Sequence, residues 1–249
     1  MASVNDMPKD NDEIRTKYFE NKRKEFEEGC FAQKQSDACF CLAEWHQVVA
    51  KDLKKSSELY ASNCLENKHH GSCYNLAIQL LVSGKQEAEV VALPEPLASQ
   101  DRQVTARQLL KESCEVGKHP VACLSYASML LAGLGGERNL PAAMSLLESN
   151  CYQSNDSRAC VKLGTVFLRG EPTYPGVPKD AKRAFQHMKH ACEELGHPNG
   201  CQVLAVMYKF GDAGLEVDLE KSKHYQKLTK DLAQQTGDKL GNVSVGVTL

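Results

Sequence analysis

The chain has 249 residues, 42% of them hydrophobic and 25% charged, with a formal net charge of −2, enough for one sizeable core or for an array of smaller ones. The near-neutral balance argues against nucleic acid as the main partner, because phosphate binding needs a concentrated basic face. No run approaches the roughly 18 consecutive apolar residues that a membrane-spanning helix requires.

Taken in chain order, residues 1–11 alternate both charge signs and lack an apolar core. They are expected to be disordered and to form neither a secretory signal nor an Arg-rich transit peptide. Residues 12–31 read as a charged amphipathic helix that opens the fold. Helical patterns follow at 37–50, 53–66, 71–83, 101–116, 120–133, 140–152, 157–170, 180–195, 198–211 and 218–235. The interval 84–100 includes QEAEVVALPEPLASQ, an expanded loop with two prolines. Insertions of this kind can carry binding, but a plain flexible connection is the simpler reading. The segment VDLEKSKHYQKLTKDLAQQ keeps helical character without a cysteine and reads as a polar capping helix. Residues 236–249 are expected to form a flexible tail.

Eleven cysteines are unusual, and they are regularly placed. Ten form five pairs of one spacing: Cys30/Cys39, Cys64/Cys73, Cys114/Cys123, Cys151/Cys160 and Cys192/Cys201. Successive pairs begin 34, 50, 37 and 41 residues apart. A recurrent period of this size signals a stacked array. Three residues after each second cysteine stand Leu42, Leu76, Tyr126, Leu163 and Leu204, followed by the small Ala43, Ala77, Ala127, Gly164 and Ala205. Seven after it stand His46, Leu80, Leu130, Phe167 and Tyr208. These offsets form one stripe on one helical face, with a small residue where a neighbouring helix can come close. Gly84, Gly133, Gly170 and Gly211 stand where four of these helices should stop. Four residues before each first cysteine stand Phe26, Tyr60, Leu110, Leu147 and Met188, and three copies add Ala106, Ala143 and Ala184 eight residues before.

The interval between paired cysteines is turn-like, as in EELGHPNG, so each unit reads as helix, turn, helix. In a straight helix nine steps would separate two Cα atoms by roughly 13 Å, beyond the roughly 7 Å limit of a disulfide. Antiparallel helices joined by a tight turn bring them within range. Metal binding and a reactive pair remain alternatives, and repetition of the same spacing favours a structural crosslink.

The motif L-[GA]-x-x-[FY]-x-x-G, then D-x-x-[KR]-A and C-E-x-G-H-P-x-[AG]-C, resembles the Sel1-like repeat. Leu163–Gly170, Asp180–Ala184 and Cys192–Cys201 carry it best. The resemblance implies an all-α fold over 12–235: an α/α solenoid (superhelix) of about five disulfide-stapled repeats and about 11 helices, serving as an interaction scaffold. The order of five C-x8-C pairs and the stretch MYKFGD at 207–212 further resemble a cysteine-rich family of Sel1-repeat cytochrome c oxidase assembly factors. That resemblance implies a monomeric, non-enzymatic assembly factor for complex IV in the mitochondrial intermembrane space, with protein clients or assembly partners of the oxidase. It also reconciles many cysteines with the lack of a signal, because such proteins are trapped by oxidative folding. Cys41, the 84–100 loop and the long tail depart from the family pattern.

Cys39-Phe40-Cys41 admits a redox C-x-C, but with Cys39 bridged to Cys30 the odd Cys41 is a free thiol. His187 and His190 lie one helical turn apart beside Met188. The family link with haem makes these three a candidate haem or metal ligand set, while no cofactor is required. No C-x-x-C-H haem-attachment signal is present, and solvent-facing or turn roles are the plainer reading of these histidines and of His69, His70 and His197. An enzymatic alternative is a secreted cysteine-rich Sel1-like β-lactamase or penicillin-binding protein. No S-x-x-K occurs to supply its nucleophile and base. A thiol–disulfide oxidoreductase using Cys41 or a labile pair is the third reading.

Overall fold

A computed structural model describes residues 12–82 and 101–240. The expanded loop at 84–100, including Gly84, and the ends of the chain lie outside them. The described residues form 11 α-helices and no strands. They are α1 (Asp12–Glu27), α2 (Ser36–Val48), α3 (Leu53–Asn67), α4 (His70–Val82), α5 (Arg102–Glu115), α6 (Pro120–Ala132), α7 (Leu140–Tyr152), α8 (Ser157–Arg169), α9 (Ala181–Lys189), α10 (Pro198–Phe210) and α11 (Leu219–Leu240). The chain divides between His119 and Pro120 into two compact units. In the first, α1 to α5 pack each against the next; in the second, α6 to α11 do the same.

The apolar stripe is the core of each unit. Leu42, Leu76, Leu163 and Leu204, with Tyr60, Leu110, Leu147 and Met188, are buried, and so are Ala43, Ala77, Ala127 and Ala205. Gly164 marks a close crossing of α8 and α9 in the second unit. A Cβ built there would stand 2.8 Å from Cε of Met188 and 3.3 Å from the carbonyl oxygen of Ala184, so a larger residue would require the Met188 side chain to shift.

Local chemistry explains the boundaries. The first helix of the second to fifth repeats opens on an Asx residue whose side chain accepts a backbone N–H: Asp52 from Lys55, Asp101 from Gln103 and Val104, Asn139 from Ala142, and Asp180 from Arg183. Asp218 does the same for α11, accepting from Lys221. Each such cap is worth about 1 kcal/mol. The backbone N–H groups of Asp52, Asn139, Asp180 and Asp218 donate to the carbonyls of His46, Leu130, Phe167 and Tyr208 at 2.9–3.0 Å, which ties each connection to the helix it leaves.

Three boundaries differ from the sequence pattern. The helices expected at 12–31 and 180–195 each finish as a π-helical turn, Glu28–Ala32 and His190–Glu194. These turns carry Cys30 and Cys192, and the wider winding lets the chain leave the helix with its cysteine still facing the next one. The last helix continues to Leu240, five residues beyond the boundary drawn from its apolar periodicity.

Candidate functional site

The staples are the repeated chemical feature. Disulfides join Cys30–Cys39, Cys64–Cys73, Cys151–Cys160 and Cys192–Cys201, with Cα–Cα distances of 4.5, 4.8, 4.7 and 4.8 Å. Cys114 and Cys123 are also disulfide-bonded. All ten sulfurs belong to buried residues, so they lie out of contact with bulk solvent.

The turn within each staple is built the same way five times. The residue five before the second cysteine has a left-handed backbone: Lys34, Lys68, Lys118, Asn155 and Gly196. The next residue donates its N–H back across the turn to the carbonyl of the residue preceding the first cysteine. These bonds run from Gln35 to Gly29, His69 to Asn63, His119 to Ser113, Asp156 to Asn150 and His197 to Ala191, at 2.8–3.2 Å. His69 and His197 then cap the following helix, each Nδ1 accepting a backbone N–H, from Ser72 and Asn199. Both therefore act as turn residues.

A second layer of contacts was not visible in the cysteine pattern. The residue preceding a first cysteine reaches the first residue of the helix that carries the previous repeat's second cysteine. Asn63 Nδ2 donates to the Ser36 carbonyl at 2.9 Å, Ser113 Oγ to the His70 carbonyl at 3.2 Å, and Asn150 Nδ2 to the Pro120 carbonyl at 2.8 Å. Asn63 also donates to Ser72 Oγ at 2.7 Å. The signal was a polar residue beside cysteine in the middle copies, replaced by Gly29 and Ala191 in the first and last.

Cys41 is a half-buried free thiol. Burial pushes its pKa up, and the carboxylates of Glu44, Asp37 and Glu25 push it further. That environment favours the thiol over the reactive thiolate.

The three residues considered as haem or metal ligands do not share a ligand position. Met188 is fully buried in the core with Cys192, Cys201, Leu204 and Tyr225. His187 turns to the other side: its Nδ1 lies 2.7 Å from the Tyr152 hydroxyl, and its ring stacks on Phe167 at 5.6 Å. Arg183 covers the Phe167 ring at 4.7 Å. Burial pushes the His187 pKa down. His190 packs its ring against Tyr152 at 4.9 Å and lies beside the Cys151–Cys160 staple. With Met188 enclosed and His187 Nδ1 engaged, this trio does not fit a haem iron.

These features define a helical-repeat protein, and residues 120–155, 157–194 and 198–227 match the Sel1 repeat family. All three matched segments lie within the second unit. Along nearly its whole length it is similar to cytochrome c oxidase assembly factor 7 of Xenopus tropicalis, at 27% identity over 99% of this chain and 100% of that one. The human protein of the same name is 28% identical over 94% of each chain. In fold, a Sel1 repeat protein from Oxalobacter formigenes matches with a TM-score of 0.67 at 18% identity, covering 90% of this chain and 85% of that one. The fold is therefore an α/α solenoid of the Sel1 kind.

Proposed function

We propose that this chain is a non-catalytic scaffold for assembly of mitochondrial cytochrome c oxidase, acting as a monomer in the intermembrane space. The observation that carries the proposal is similarity to cytochrome c oxidase assembly factors over 94% or more of both chains. The architecture suits such a role. Helical repeats offer extended surfaces for protein clients, and crosslinks inside each hairpin hold those surfaces before a client arrives. Protein contact is also favoured by exposed apolar side chains at and around the α10–α11 connection: Val206, Phe210, Val217 and Leu219. Among the described residues no helix is long and apolar enough to cross a membrane.

Buried disulfides suit an oxidising compartment, which supports the intermembrane space over the mitochondrial matrix. The raised thiol pKa of Cys41 weighs against thiol–disulfide exchange at that residue. Proximity labelling by the tagged chain in intact mitochondria tests location and clients together. Enrichment of intermembrane-space proteins and of cytochrome c oxidase subunits or their assembly partners is the expected result. Labelling confined to matrix or cytosolic proteins would overturn the location, and labelling without oxidase components would overturn the role.

A further inference from the structure

Among the described residues, one group of three side chains brings metal-ligating atoms together: the sulfurs of Cys151 and Cys160 and a ring nitrogen of His190, all within 4.8 Å of one another. The cysteines end α7 and enter α8, and His190 begins the π-helical turn after α9. Nε2 of His190 is buried without a hydrogen-bond partner. A buried imidazole nitrogen left unpaired costs free energy, and nothing in the oxidised staple repays it.

We propose that Cys151, Cys160 and His190 form a redox-gated site for a thiophilic d10 cation, with zinc as the test ion. In the oxidised chain the two sulfurs are bonded to each other and offer no thiolate. Reduction supplies two thiolates beside the imidazole, which is a Cys2His donor set. Zinc binds such ligands at about 2.3 Å for sulfur and about 2.0 Å for nitrogen and leaves a fourth position for water. A tetrahedron of those bond lengths holds its ligand atoms about 3.5–3.8 Å apart, so once the S–S bond breaks the sulfurs part by roughly 1.7 Å from their bonded separation, while the imidazole nitrogen, within 4.8 Å of them, approaches by about 1 Å. Disulfide and metal exclude one another, which makes this staple a two-state element.

The imidazole singles out this staple. The position two before the first cysteine is Glu28, Ser62, Glu112 and Ser149 in the other four copies, and His190 in the fifth. The chemistry balances with a phosphine as the two-electron reductant. The phosphine takes the oxygen of one water, the two water hydrogens pass to the two sulfurs, and the S–S bond breaks. Zinc then displaces both thiol protons to solvent.

The test uses the full chain under anaerobic conditions, titrated with a phosphine with and without Zn2+, then alkylated and mapped by peptide mass spectrometry. The expected result is one zinc per chain, with Cys151 and Cys160 reduced yet shielded from alkylation. His190→Ala and His190→Gln should keep the oxidised helical fold, checked by circular dichroism, and bind zinc at least about tenfold more weakly. With Co2+ as an optical probe, the wild-type chain should show sulfur-to-cobalt charge transfer and tetrahedral bands, which the His190 variants should reach only at about tenfold or more higher Co2+. Equal zinc binding by the variants, or shielding spread across all five pairs, would overturn the proposal. So would a staple that can be reduced only when the chain unfolds.

Discussion

Lys34, Lys68, Lys118 and Asn155 hold left-handed backbone angles at the position where the fifth copy has Gly196, with φ +62°. For residues with a Cβ that conformation costs roughly 1–2 kcal/mol. The repeat thus carries a small, recurrent strain that glycine relieves once. A Cβ at Gly196 would meet only Leu232 Cδ2, at an ordinary 3.6 Å, so Gly196→Ala isolates the conformational cost. It is expected to lower stability by about 1 kcal/mol, read as a shift in urea midpoint without a change in slope. The residue scale also sets a pH dependence. Burial lowers the pKa of His187, and those of His46, His119 and His197. Below the ordinary histidine value of about 6.5 the unfolded chain binds more protons than the folded one, so stability falls with pH. The contribution is complete above that pH and drains through the window beneath it, down to the lowered folded values. Thermal unfolding at pH 7 and pH 5.5 should show the midpoint dropping, with a smaller drop in His187→Gln. An equal drop in both would remove His187 from the effect.

At the scale of the helical element, crosslink and hydrogen bond act in different directions. The disulfide ties the two helices of one hairpin, whereas Asn63, Ser113 and Asn150 tie one hairpin to the preceding one. Asn150→Ala leaves the Cys151–Cys160 staple in place and removes only the second tie. It is expected to cost about 1–3 kcal/mol, and a loss below about 0.3 kcal/mol would show that the contact is incidental. The hairpins were legible in the sequence because Leu147, Leu163 and Met188 keep helical spacing on either side of a fixed cysteine interval. The inter-repeat ties were not legible, because their acceptors are backbone carbonyls 27–43 residues away. The π-turns at Cys30 and Cys192 left no compositional mark. His187 and Met188 were grouped by proximity in the chain, but neighbours on a helix point about 100° apart. One therefore enters the core while the other meets Tyr152, a partner 35 residues away. His190 could be read as an imidazole one turn from His187, but its place beside Cys151 and Cys160 emerged only from packing.

For the whole molecule, a repeat protein gains stability from each unit and from each interface between neighbours. Stapled hairpins suit a chain whose function is to present surface, because ordering is completed during folding and not charged against binding. Similarity to a cytochrome c oxidase assembly factor runs continuously through both units. The family match at 120–227 falls wholly in the second unit. The central claim, that this scaffold serves cytochrome c oxidase assembly, is tested most directly by the amount of fully assembled oxidase in cells lacking the chain. Native gel quantification should show that amount reduced, restored by the wild-type chain, and restored poorly by a variant with its ten staple cysteines changed to serine. Unchanged oxidase in cells lacking the chain would contradict the claim.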